Sequence, residues 1–256
     1  MRRIFTSACL LLVAACCCNL YAQAPVARDH STNPDRYYLN YEDVPSSLKL
    51  LPPPPSVGSI QFLWDEAQYK SGKMQRASAR GDQAVKDAMP GASSFSEAFG
   101  CDITAENTPE IYKLVSTMRE DAGDLSTREA KNYYMRPRPY MLYAEDTSVP
   151  GAQKGLSTNG SYPSGHTAIG WATALVLAEI NVDNQDAILK RGYEMGQSRV
   201  ISGFHFQSDV DAGRLVSAAV VARLHANDDF NAQLQKAKQE FAKLKKAGKI
   251  KKVTVE

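Results

Sequence analysis

The chain has 256 residues, 43% hydrophobic and 23% charged, a profile of a soluble globular protein long enough for one substantial core. Its 30 basic and 28 acidic side chains leave a formal charge of +2, which excludes the broad basic surface of a nucleic-acid binder. Any strong anion site must therefore come from local clustering.

Residues 1–22 read as an export signal. Arg2 and Arg3 supply the positive start, and Ile4 to Cys18 is almost all apolar. The run is too short for a comfortable membrane span, and no later stretch reaches the roughly 20 apolar residues that a spanning helix requires. Leu20-Tyr21-Ala22 before Gln23 suits ordinary signal peptidase, whereas Val13-Ala14-Ala15-Cys16 resembles a lipoprotein box that places a lipid on Cys16. The plain secretory reading is preferred, and a periplasmic location follows from it. Four of the five cysteines lie in this leader, leaving Cys101 alone, so the exported chain has no disulfide framework.

Residues 23–55 form a polar arm, with Tyr37, Tyr38 and Tyr41 as anchors, and end in the stiff spacer Leu51-Pro52-Pro53-Pro54-Pro55. Residues 56–256 are expected to form one helical domain. A helix is predicted from Ser59 to Gly72, with Ile60, Leu63, Trp64 and Ala67 on its inner face. A second follows over 74–88, and Met89-Pro90-Gly91 breaks it. Thr108-Pro109-Glu110 is a helix start, with Thr as N-cap, Pro in the first position and an acid in the first turn. Ile111, Leu114, Val115 and Met118 give its buried stripe, and Gly123 is expected to end it. Leu125 to Tyr134 forms a short helix carrying Lys131. Pro137 and Pro139 then stop regular structure, placing Arg136 and Arg138 on an ordered loop.

The stretch Gly160-Ser161-Tyr162-Pro163-Ser164-Gly165-His166-Thr167 is a turn leading into the apolar helix that begins at Ile169. A helix start is a ready anion site, because its first N–H groups lack partners and its dipole end is positive. After this helix, Asn184 is placed to cap a helix from Gln185 to about Val200. Ile201-Ser202-Gly203-Phe204 bends the chain, and Asp209 to His225 is helical with Val210, Leu215, Val216, Ala219 and Val220 inward. A lysine-rich amphipathic helix over 229–247 closes the chain, its lysines on a solvated face. No alternating apolar run appears, so the fold class is all-α.

Three segments carry chemistry. The first is Lys131, six residues, then Arg138-Pro139. The second is Pro163-Ser164-Gly165-His166. The third is Ser198-Arg199, five residues, His205, three residues, Asp209. Lys131, Arg138 and Arg199 can surround the oxygens of a phosphoryl group, while Ser164 and the Gly165 N–H add neutral donors. Such a cradle can replace a metal ion, and no carboxylate-rich metal motif competes with it. No metal or other cofactor is expected. His205 and Asp209 stand four residues apart, a spacing that one helical turn would bring to one face. A carboxylate on one ring nitrogen fixes the tautomer and leaves the other nitrogen as nucleophile. His30 and His225 have no such company and receive no role.

These motifs make the chain resemble the bacterial class A non-specific acid phosphatases of the phosphatidic-acid-phosphatase type 2 superfamily, related to vanadium haloperoxidases. The resemblance covers nearly the whole exported chain and implies a single-domain helical bundle. It also implies attack on phosphorus by His205, and His166 as the acid for the leaving oxygen and then the base for water. Acid pH, inhibition by vanadate and a broad range of nucleotide, sugar and aryl phosphates follow from it, with phosphotransfer as a side activity. The partners implied are small phosphorylated substrates and inorganic phosphate as product, with no nucleic acid. A homo-oligomer is compatible with the sequence but not required by it. The rival readings are a periplasmic phosphate-binding protein without turnover and a vanadate-dependent haloperoxidase.

Overall fold

The computed structural model describes residues 28–255. The leader, with its alternatives at Ala22 and Cys16, lies outside the described residues. Those residues form helices and turns and no strand, the all-α class expected. The long helices are α1 (Ile60–Met74), α2 (Ala79–Lys86), α3 (Pro109–Glu120), α4 (Ser126–Tyr134), α5 (Gly165–Ile180), α6 (Gln185–Ile201), α7 (Gln207–Leu224) and α8 (Asp228–Lys246). None of the described helices is long and apolar enough to cross a membrane.

Helix α5 is the axis of the bundle. It is apolar on nearly every side, and Ala168, Ala172, Val176, Leu177 and Ile180 are all buried. A helix of this kind needs neighbours around it. Helices α6 and α7 pack along its length, α3 also reaches it, and α8 packs against α3. The main core joins Ile111, Leu114 and Met118 to Val176, Leu177, Ile188, Leu224 and Phe230. A smaller cluster of Leu51, Ala130, Tyr162, Ala168, Ala212 and Val216 takes Ala130 from beside the first chemical segment, Tyr162 and Ala168 from either side of the second and Ala212 from just after the third. That second core is what pulls distant parts of the chain together.

Several local expectations change on folding. Helix α1 is rolled so that Phe62, Asp65, Tyr69 and Gly72 face inward, while Ile60, Leu63 and Trp64 are 82%, 56% and 62% exposed. The cause is specific contact rather than hydrophobicity. Phe62 meets the Phe206 ring at 5.5 Å, and Asp65 takes an ion pair from Arg136 at 2.8 Å. Gly123 does not end α3. The chain continues through a π-helical turn, Asp121–Leu125, straight into α4. A Cβ on this glycine would lie 2.6 Å from the outer carbons of Ile169, which would have to turn aside to admit it.

Pro139 starts a single helical turn, Pro139–Leu142, instead of stopping structure, because proline suits a first helical position. The second helix is shorter than expected, and Leu215 of α7 is exposed. Asn184 precedes α6 but does not cap it; its side chain instead bonds the Phe99 and Lys251 carbonyls and the Val253 N–H.

Candidate active site

Lys131, near the end of α4, is 8% exposed and donates from Nζ to the Gly160 carbonyl at 2.7 Å. A side chain at Gly160 would collide with the Lys131 carbonyl at 2.5 Å, so this approach requires glycine. Arg138, ahead of the Pro139 turn, donates from Nε to the carbonyls of Leu156 and Asn159 at 3.1 and 3.2 Å. Its Nη1 reaches the Phe204 carbonyl at 3.2 Å and His205 Nε2 at 3.0 Å. Arg199 lies in the last turn of α6 with its guanidinium 4.3 Å from the Phe204 ring centre. It is 1% exposed, yet its Nε and Nη1 have no hydrogen-bond partner. Buried donors are rarely left unpaired, so these two are placed to meet an acceptor that the chain itself does not supply.

The histidine–carboxylate pair forms in a way the sequence spacing does not suggest. His205 stands outside any helix, in the turn after α6 where Gly203 adopts φ +85°, while Asp209 sits in the first turn of α7. What joins them is the helix cap rather than a shared helical face. Asp209 Oδ2 accepts the Phe206 N–H at 2.8 Å and lies 3.4 Å from His205 Nδ1. Ser161 donates its hydroxyl proton to the same oxygen at 2.5 Å and stands 3.2 Å from Nδ1. With that proton committed, the serine oxygen can only accept, so Nδ1 carries the hydrogen and Nε2 the lone pair. Nε2 is the nitrogen that meets Arg138.

Ser164 caps α5, accepting from the Thr167 hydroxyl at 2.9 Å and its N–H at 3.4 Å, which leaves the Ser164 proton free to donate. Gly165 and His166 open the helix, where their N–H groups have no intrahelical acceptor. A Cβ on Gly165 would lie 2.8 Å from the Gly123 carbonyl, so two glycines allow α5 to start against the π turn. Lys131, Arg138, Gly165, His166 and His205 line one cleft of about 500 Å³, with Arg119, Asp124 and Arg128 also on its wall. Ser164 and Arg199 are buried and do not line the open cleft.

Electrostatics follow from the crowding of cations in a largely buried site. Burial, then Arg199 and His205, push His166 well below the usual histidine range. Burial and Arg138 do the same to His205 against the opposing pull of Asp209. Burial and Arg138 push Lys131 well down, and push Arg199 to about 9. Asp209 is held far below an ordinary carboxylate: burial opposes its charge, but Arg136 and the hydrogen bonds of His205 and Ser161 outweigh it. The pocket is short of negative charge, and an anion beside these groups would reverse the balance.

The structure thus places Lys131, Arg138, Gly165, His166 and His205 around the cleft, with Asp209 behind His205 and with Ser164 and Arg199 buried away from its open surface. It adds Ser161, Arg136 and Asp65, to which the sequence reading gave no role. Arg136 lies two positions before Arg138, and Ser161 lies inside the central turn, so both were in view without a signal of contact. Nothing in the sequence marks Asp65. His30 bonds the Tyr37 carbonyl through Nδ1 at 2.7 Å, and His225 Nε2 pairs with Glu179 at 3.1 Å.

Comparison with known proteins shows the family. A family model described as the PAP2 superfamily matches residues 118–231. A non-specific acid phosphatase of Providencia stuartii is 59% identical over 232 residues, covering 89% of this chain and 94% of its own. A non-specific acid phosphatase of Salmonella typhimurium is 38% identical over 220 residues, 84% of this chain and 88% of that one. An acid phosphatase of Zymomonas mobilis is 32% identical over 227 residues, 87% and 84% of the two chains. The chain belongs to the PAP2 superfamily and, within it, to the bacterial non-specific acid phosphatases.

Proposed function

We propose that this acid phosphatase hydrolyses phosphate monoesters in two steps through a phosphohistidine on His205, with cationic side chains in place of a metal ion. The phosphoryl group sits among Lys131, Arg138, Arg199, Ser164 and the Gly165 N–H. Arg138 exchanges its contact with Nε2 for a phosphoryl oxygen. The Nε2 lone pair then attacks phosphorus, the bond to the ester oxygen breaks, and His166 gives that oxygen a proton. In the second step His166 takes a proton from water as the water oxygen attacks phosphorus. The P–N bond breaks, releasing inorganic phosphate and neutral His205. Asp209 balances the imidazolium charge of the intermediate.

The observation that carries this reading is the tautomer. Asp209 and Ser161 occupy Nδ1 and turn Nε2 toward the cations. Acid operation fits the same site, because His166 resists protonation and needs low pH and a bound anion to carry its proton, while His205 stays neutral with its Nε2 lone pair available. Recognition concentrated on the phosphate explains a broad substrate range over nucleotides, sugar and aryl phosphates. An alcohol in place of water gives phosphotransfer, and vanadate mimics five-coordinate phosphorus. Export to the periplasm is read from the leader.

The test is a rapid quench with labelled substrate in the presence of a chelator. The expected product is an acid-labile, base-stable phosphoenzyme mapped to His205. His205→Ala should abolish phosphate release from p-nitrophenyl phosphate in a folded protein. Label on another residue, or undiminished activity of this variant, refutes the assignment.

A further inference from the structure

Behind the nucleophile lies a buried chain of charges that runs from Asp209 to two residues, Arg136 and Asp65, that the reaction above does not use. Asp65, Arg136 and Asp209 are 1%, 7% and 0% exposed. Arg136 spans the other two, with Nη2 2.8 Å from Asp65 Oδ2 and Nη1 2.5 Å from Asp209 Oδ1. Its guanidinium also lies 4.5 Å from the Phe206 ring centre, and Nη1 meets the Ser208 hydroxyl at 2.8 Å. Asp65 in turn accepts the Ser208 N–H at 2.8 Å and its hydroxyl at 2.6 Å. One carboxylate on α1 therefore holds both the arginine and the first turn of the helix that carries Asp209.

The division of labour at Asp209 is clean. Oδ1 takes Arg136, while Oδ2 takes Ser161, the Phe206 N–H and His205 Nδ1. Without Arg136 the carboxylate could rotate and share its oxygens otherwise. We propose that Arg136, anchored by Asp65, is a positioning residue for the nucleophile, occupying one oxygen of Asp209 so that the other is presented to His205 Nδ1. This rests on His205 being the nucleophile.

The sign of the pH effect follows from the groups around Asp209. They are Arg136 backed by Asp65, His205 in the turn before α7, Ser161 and Tyr162 ahead of α5, Lys131 on α4, and Arg138. Removing the positive charge of Arg136 makes Asp209 easier to protonate. It also leaves a less neutralised carboxylate beside His205, which makes the ring easier to protonate. Both changes move the acid limb of kcat/KM to higher pH.

The experiment compares Arg136→Gln, Arg136→Lys and Asp65→Asn with the wild-type full chain. Readouts are kcat and KM for p-nitrophenyl phosphate across pH, affinity for inorganic phosphate, and thermal unfolding. Arg136→Gln is expected to lower kcat by about 10- to 100-fold, the usual cost of removing an orienting partner. Its acid limb should rise by about one pH unit. Affinity for phosphate should change little, because Lys131, Arg138 and Arg199 are intact. Arg136→Lys should recover part of the loss, and Asp65→Asn should show the same pattern more weakly. A folded Arg136→Gln protein with unchanged kcat and pH profile overturns the proposal, as does an equal loss of kcat and phosphate affinity. If that variant does not fold, Asp65→Asn decides by the same criteria. The quench experiment separates the two layers: label mapped away from His205 removes the nucleophile assignment, whereas label on His205 with a normal Arg136→Gln protein removes only this one.

Discussion

Arg199 offers a test of whether the pocket is strained by its own charge when empty. The perturbation is Arg199→Met, which keeps an unbranched stem for the surrounding packing and removes the guanidinium. Each of the two unpartnered buried donors costs about 1–3 kcal/mol. The contact with Phe204 that is lost is worth about 0.5–2 kcal/mol. The balance favours the variant by roughly 2 kcal/mol without phosphate. At about 2–4 °C per kcal/mol for a chain of this size, its Tm should rise by about 4–8 °C. Affinity for phosphate should fall in the opposite sense, since two hydrogen bonds from a charged donor are worth about 1.5–3 kcal/mol each, a loss of about 100-fold or more. Scanning calorimetry in phosphate-free buffer and a phosphate titration measure the two halves. An Arg199→Met protein that melts at or below the wild-type temperature without phosphate refutes the argument.

Other outcomes follow from the same geometry. His166→Ala should lower kcat/KM, which reports formation of the phosphoenzyme, by about 10²–10⁴-fold on alkyl phosphates and far less on p-nitrophenyl phosphate, whose leaving group needs no proton; equal losses of kcat/KM count against an acid role. From pH 6.5 downward the unfolded chain gains protons on His166 and His205 that the native chain refuses, so acidification costs stability. Asp121, pushed up to about 7 by burial, acts in the opposite direction, but equally with and without ligand. Bound phosphate lets the histidines take up protons, so its stabilising effect should grow from about pH 7 to about pH 5, and a pH-independent gain in Tm contradicts this. Gly165→Ala places a methyl group 2.8 Å from the Gly123 carbonyl and should cost about 1–3 kcal/mol in urea unfolding together with kcat; unchanged stability would show that the contact relaxes freely.

Helix positions were legible because they depend on local pattern, whereas the candidate site residues were singled out by the spacing of three motifs and by resemblance. Helix α3 shows its buried stripe at Ile111, Leu114, Val115 and Met118 as the spacing requires. The roll of α1 was not legible. Its most apolar stripe faces water because Asp65 and Phe62 have better-defined partners inside, and no local rule ranks an ion pair 71 residues away above Trp64. Gly123 misled for a related reason, since a stop signal and a demand for space are written with the same residue. The His205–Asp209 spacing was right and its explanation wrong: the pair is built by capping, which depends on where α7 starts. Arg136 looked like its neighbour Arg138, and only the fold shows that one faces the cleft and the other faces away from it.

The walls of the cleft are sewn to one another through main-chain atoms. The Ser161 N–H bonds the Arg136 carbonyl at 2.9 Å, and the Ser164 N–H bonds the Asp209 carbonyl at the same distance. The Arg138 guanidinium bridges the carbonyls of Leu156, Asn159 and Phe204. Each seam closes a long loop of sequence, so the candidate site is complete only where these distant segments have docked, whereas the His205–Asp209 pair needs only the local cap of α7. Turnover is therefore a census of completed molecules: a population that has lost its tertiary order but kept its helices contributes nothing to it.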